Sequence, residues 1–306
     1  MRSSHGLLRP GRFLWARVLT WSVVFGLALW IVYKFVKGVT IGLGLGGTGL
    51  PTTIGVLATL ALYTASVRLI ERRSPDELGF AQLAPELALG VTFGAVLFSV
   101  IMAVLLAIGA YGMTGPTAAA PWRPLADSLE GIVEELIFRG AIFRLVSSIF
   151  GAWWALGLSS ALFGAWHLVK PGADLIAVLG VMFAGGIPMT ALYIVTGRLW
   201  ASIGYHMAWN FTEAYVFGAE VSGSGFGQSL FQVRARPGVD AFWTGGAFGP
   251  EASMVTLVFG LLVSAALITL AKRRKRSGLR RQRCCKELEA TGKREEPGLS
   301  LPGSRR

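Results

Sequence analysis

The stretch GIVEELIFRGAIF, residues 131–143, is apolar except for Glu134, Glu135 and Arg139. A charge at the centre of a bilayer costs about 2.5–3.5 kcal/mol on insertion scales. Ionisable residues kept inside apolar helices therefore face a protein interior or a wet cavity. Glu135 and Arg139 are four apart, so they share a helical face and can pair. Glu134 projects about 100° away from Glu135, so one glutamate can be held by the arginine while the other aims elsewhere. Two more apolar stretches carry polar groups. SALFGAWHLV holds His167, with Phe163 one turn earlier, and GYHMAWNFTE holds His206 and Asn210, four apart on one face. Of the 3 histidines in the chain, only His5 lies outside such a run, in the N-terminal tail, where no specific role is expected.

Singly, each feature fits a hydrogen-bonded core histidine or a Glu–Arg clamp between helices. Together they form a set suited to hydrolysis. A glutamate can act as general base toward water, with a histidine sharing the proton. A histidine and an amide can stabilise an oxyanion. Two histidines and a glutamate (His167, His206 and Glu134) are also a zinc set, so metal chemistry is the open alternative. No serine or cysteine nucleophile stands out, which points to activated water. Two other classes of function remain: a proton-coupled transporter using the same residues as a relay, and a non-catalytic immunity or scaffold protein of the membrane. No inverted repeat is apparent, which counts against the transporter.

The elements that must position these residues are apolar. The chain has 306 residues, 53% hydrophobic and 15% charged, with mean hydropathy +0.57, against about 25% charged in soluble domains. Apolar runs near 13–36, 51–70, 86–109, 128–146, 152–169, 174–196, 199–217 and 253–271 predict an all-α, polytopic transmembrane bundle of about eight spans. The first run is too long for a signal-peptide core and lacks a small-residue cleavage site, so it is expected to be retained. The formal charge of +12 is concentrated in KRRKRSGLRRQR, residues 272–283, and at Arg2, Arg9, Arg12 and Arg17. With Arg72, Arg73 and Arg198 this places both termini on the cytoplasmic side. No aromatic or folded reader accompanies the basic run, so no nucleic-acid partner is expected. Cys284 and Cys285 are adjacent and are read as free thiols rather than a disulfide or metal site. GLGLGGTG, residues 42–49, lacks the Gly-Lys-Ser/Thr ending of a phosphate loop and reads as a connection.

This organisation gives a cytoplasmic tail at 1–12, N-terminal transmembrane helices at 13–126, a core at 127–217, an extracytoplasmic glycine-rich loop and last helix at 218–271, and a basic cytoplasmic tail at 272–306. The loop 218–252, with GSGFGQ and TGGAFGP, is expected to be irregular surface structure. One tension is visible. In straight spans Glu134 and His167 lie toward the outer side and His206 toward the inner, with Glu134 about ten ångströms from its helix end at 1.5 Å per residue. Convergence then needs different boundaries, or helices tilted or broken around a polar cavity.

EELIFRG fits the pattern E-E-x-x-x-R, FGAWH fits F-x-x-x-H, and HMAWN fits H-x-x-x-N. In that order, on three hydrophobic helices, they resemble the CPBP family of intramembrane proteases. That family includes type II CAAX prenyl endopeptidases and bacteriocin-processing or self-immunity proteins. The resemblance covers residues 130–217, and no pattern is broken. It implies a membrane endopeptidase acting by glutamate-activated water, with Glu134 as base, His167 as its partner, His206 and Asn210 as oxyanion donors, and Glu135 and Arg139 orienting the site. Because the family is often called metalloprotease, it also implies zinc on His167, His206 and Glu134 as the alternative. The implied partners are the lipid bilayer and a membrane-associated peptide or protein substrate. The implied location is the cytoplasmic membrane of a bacterial host.

Overall fold

The computed structural model describes residues 7, 9, 11–46, 49–115, 122–225 and 229–292, including their side chains except at 122–123 and 274–292. Arg2 and His5, residues 47–48 of the first glycine run, residues 226–228 of the glycine-rich segment, and the side chains of Cys284, Cys285 and most of the basic run lie outside the described residues.

Each apolar run is helical: α1 (Leu14–Thr40), α2 (Leu50–Leu69), α3 (Leu83–Ala107), α4 (130–150), α5 (Ala152–Trp166), α6 (175–196), α7 (200–216) and α8 (Met254–Gly292). Among the described residues, five helices are long and apolar enough to cross a membrane: Leu14–Leu45, Leu50–Leu69, Asp76–Ala107, Leu175–Thr196 and Met254–Arg273. The figure of about eight spans is not met by that measure. α4 carries Glu130, Glu134, Glu135, Arg139 and Arg144, and α5 and α7 are short. Their polar groups are sheltered by the longer helices. α6 has 61% of its apolar window buried against 22% for α8, so α6 is central and α8 peripheral. Phe35, Leu43, Trp154 and Val169 face outward, as expected of side chains whose solvent is hydrocarbon.

Several helices change pitch midway. π-helical turns occupy Leu136–Phe143 in α4, Val181–Gly186 in α6 and Thr212–Val216 in α7, and α5 tightens into a 3₁₀ turn at His167–Val169. Such turns rotate the following side chains out of the straight-helix register and are frequent at functional sites. The π turns of α4 and α7 begin just after Glu134 and just after Asn210.

α3 and α7 form the most extensive helix pair, and glycine makes it possible. A Cβ added at Gly90 would lie 2.1 Å from the Ala201 carbonyl oxygen, one at Gly94 2.3 Å from that of Tyr205, and one at Gly204 2.5 Å from that of Leu87. Small residues four apart let backbones approach where no hydrophobic effect drives helices together. This contact fixes the height of α7, and hence of His206 and Asn210.

A buried ion network ties α1, α2 and α4 at their other end. Glu71 is fully buried and accepts from Arg144 at 2.7 and 2.8 Å, Arg73 at 2.9 Å and the Trp21 indole at 3.1 Å. Glu77 accepts from Arg73 at 2.6 and 2.8 Å and from the Tyr63 hydroxyl. Burying these charges is tolerable because each finds hydrogen-bonding partners.

The segment 218–252 differs from the irregular surface loop expected. β2 (Gln232–Ala235) pairs antiparallel with β1 (Tyr111–Thr114), with Tyr111 opposite Ala235. The Tyr111 hydroxyl donates to Thr244 O at 2.6 Å, and Leu230 N and Phe231 N donate to Tyr215 O at 2.6 Å and Val216 O at 2.9 Å. Its glycines serve close packing: a Cβ at Gly249 would lie 2.2 Å from Glu220 O. Composition alone suggested irregular surface structure, because glycine permits both an irregular and a closely packed course.

The α3–α7 contact yields a prediction. Gly94→Leu should lower stability in detergent by about 1–3 kcal/mol or more through overpacking, read as a fall in melting temperature. An unchanged melting temperature would contradict the close backbone contact.

Candidate active site

Glu134, His167, His206 and Asn210 line one cavity of about 320 Å³. The test set by the sequence was whether these residues converge, and they do. α4 delivers Glu134 from its last α-helical turn, just before the π-helical segment. Glu134 is 8% exposed, while Glu135 and Arg139 are 0% exposed. Glu134 therefore faces the cavity, and the other two face protein.

The second face of α4 holds the ring of His206. Arg139 Nη1 donates to Glu135 Oε1 at 2.8 Å, and the same oxygen lies 2.9 Å from His206 Nδ1. A carboxylate oxygen only accepts, so Nδ1 carries a proton. Nε2 then points toward Glu134, 3.8 Å from its Oε2, beyond hydrogen-bond range. The guanidinium is satisfied by α6, donating to Gly186 O at 2.9 Å and Thr190 Oγ1 at 3.2 Å. Gly131 lets the imidazole sit close, since a Cβ there would be 3.0 Å from His206 Cγ.

His167 sits where α5 ends. Its Nδ1 is 2.8 Å from Phe163 O. A carbonyl accepts, so Nδ1 is the donor and Nε2 of the neutral ring is an acceptor. The resemblance implies that His167 partners Glu134, yet the nearer imidazole to Glu134 is that of His206. Phe163 lies between the two histidines, its ring 5.0 Å from that of His167 and 5.7 Å from that of His206, with Arg139 Cζ 4.5 Å from its centroid. Phe163 was visible in the sequence as the first residue of FGAWH, but its spacer role was not.

Several cavity residues escaped the sequence reading. Glu130, one turn before Glu134, accepts from the Tyr33 hydroxyl at 2.9 Å and pairs with Lys37 at 3.1 Å and Lys34 at 3.4 Å. Its i, i+4 spacing to Glu134 was a readable signal. Glu251, in the glycine-rich segment, accepts from Trp209 Nε1 at 3.0 Å, Ser222 N at 2.9 Å and Ser222 Oγ at 2.6 Å. It pins the 218–252 segment to α7 beside Asn210. Nothing in its local sequence marks it, because its partners are distant in the chain.

His167, His206 and Glu134, the zinc set, line the same cavity but are not spaced to share one ion. Among the described residues, no three His, Cys, Asp or Glu side chains are arranged to hold one metal ion.

Comparison with known families agrees with the residue patterns. The family model described as type II CAAX prenyl endopeptidase Rce1-like matches residues 118–212. That stretch contains Glu134, Glu135, Arg139, His167, His206 and Asn210. Residues 118–212 of this membrane-helix protein are thus similar to Rce1-like endopeptidases, which supports a protease. Neither the curated proteins nor the solved structures give a match.

The Glu135–Arg139 pair predicts a non-additive pattern. Arg139→Met alone should cost about 3–5 kcal/mol, because it leaves a buried carboxylate uncompensated. Adding Glu135→Leu should recover part of that loss. Thermal unfolding of the single and double variants checks it, and simple additivity would contradict the pairing.

Proposed function

We propose that this chain is an intramembrane endopeptidase that hydrolyses a peptide bond of a membrane-associated protein or peptide by glutamate-activated water. The observation that carries this reading is the convergence of Glu134, His167, His206 and Asn210 on one cavity, with His206 clamped by Glu135. The match of residues 118–212 to the Rce1-like family supports the same class.

In this mechanism Glu134 takes a proton from a water molecule, and His167 Nε2 helps to orient that water as an acceptor. The water oxygen bonds to the scissile carbonyl carbon, and the carbonyl π electrons move onto its oxygen. His206, with both nitrogens protonated, donates from Nε2 to this oxyanion, and the Asn210 amide donates beside it. Glu135 and Arg139 hold the His206 ring in that pose. The tetrahedral intermediate collapses with cleavage of the C–N bond, and the proton on Glu134 passes to the leaving amine. A surrounding of apolar helices excludes bulk water and strengthens each of these interactions.

Glu134→Gln and His206→Ala should each lower the cleavage rate of a membrane-tethered peptide by about 10²–10⁴-fold in reconstituted vesicles. Asn210→Ala should cost about 10²–10³-fold, as for loss of one oxyanion donor. Full activity in the Glu134 or His206 variant would remove the assigned roles.

Because the donor set does not converge on a metal position, exhaustive dialysis against a chelator should leave this activity unchanged. Loss of activity restored by added zinc would overturn that part of the reading.

A further inference from the structure

Among the described residues, one cation of the cavity has no ion-pair partner. Lys37 and Lys34 are paired with Glu130, and Arg139 with Glu135. Lys170 lines the same cavity, is half-buried, and forms no ion pair among the described residues. It lies three positions past His167, just after the 3₁₀ turn His167–Val169. Its charge acts at both Glu134 and His167. The cavity's other acids are otherwise engaged: Glu130 by two lysines, Glu251 by Trp209 and Ser222, and Asp127 by the Thr52 hydroxyl at 3.3 Å.

The position of Lys170 is built rather than incidental. Gly172, at φ +72°, takes a left-handed conformation, and a Cβ there would lie 2.7 Å from Phe248 N. A Cβ at Gly223 would lie 2.1 Å from Pro171 O, and Gly223 N donates to Phe248 O at 2.8 Å. Two glycines of distant segments thus let the 218–252 segment clasp the turn that presents Lys170. A long flexible ammonium held at a catalytic cavity without a partner is suited to an anion that arrives with the substrate, because a charge-assisted hydrogen bond is strong where water is scarce.

We infer that Lys170 is a specificity-determining residue that binds a carboxylate of the substrate, either its C-terminus or an acidic side chain, and so sets which peptide bond lies at Glu134. This rests on the endopeptidase reading.

The test uses the full-length chain carrying Glu134→Gln, in detergent, and three fluorescein-labelled octapeptides: one apolar with a free C-terminus, its amidated twin, and the amidated twin with one internal Asp. Anisotropy titration should give binding about tenfold tighter for one of the two carboxylate peptides than for the neutral one. Which of the two is preferred identifies the source of the carboxylate. Lys170→Gln should abolish the preference while leaving the neutral peptide's affinity unchanged, and Lys170→Arg should retain it. Equal affinity for all three peptides in the Lys170 protein overturns the inference, whatever the variants do. A preference that persists in Lys170→Gln overturns it as well. Cleavage of none of the peptides by protein with Glu134 intact would instead count against the endopeptidase reading, while the binding comparison still decides the role of Lys170.

Discussion

A guanidinium with no contact to solvent is the constraint on which the rest depends. Arg139 is fully buried among helices whose outer surfaces are apolar, where an uncompensated charge is prohibitive. Its donors therefore dictate what must surround it: Glu135 one turn back, the backbone of α6 at Gly186, and Thr190. Meeting those demands brings α4 and α6 together. It also leaves Glu135 Oε1 as the acceptor that fixes His206 from α7. One buried charge thus fixes the relation of three helices and the pose of one imidazole.

The opposite end of α4 obeys the same electrostatics with a different outcome. Around Glu71 and Glu77 each carboxylate meets arginines and neutral donors, so the network is closed and holds helices. The cavity is left open. Glu134 stands 3.8 Å from His206 without a hydrogen bond, His167 keeps a free acceptor nitrogen, and Asn210 faces the same space. Polar groups in a low-dielectric interior that are not spent on one another are available to a reacting molecule.

Backbone proximity is the second device. α3 and α7 meet through Gly90, Gly94 and Gly204, the His206 ring lies against Gly131, and the 218–252 segment packs in through Gly172, Gly223 and Gly249. In each case a methyl group would collide with backbone or ring. The glycine-rich segment after α7 is therefore a packed wall of the cavity, contributing Val221, Ser222, Ser224 and Glu251.

The sequence by itself determined the helical class, because apolar runs of this length have no other stable form in hydrocarbon. It also determined the residues worth following. Glu134, Glu135, Arg139, His167, His206 and Asn210 were legible because polar groups in such runs are costly, and the four-residue spacing of Glu135 and Arg139 states a pairing that local helix geometry must obey. Only the tertiary structure decided which helices pass as membrane spans, and that the site residues reach one cavity. It alone set Glu134 beside His206 rather than His167, and drew Glu251 and Lys170 to the cavity. The physical reason is separation along the chain. Pairings within one helical turn follow from local geometry, whereas those between residues tens of positions apart depend on how closely glycine lets the helices approach and on where a buried charge finds its partner.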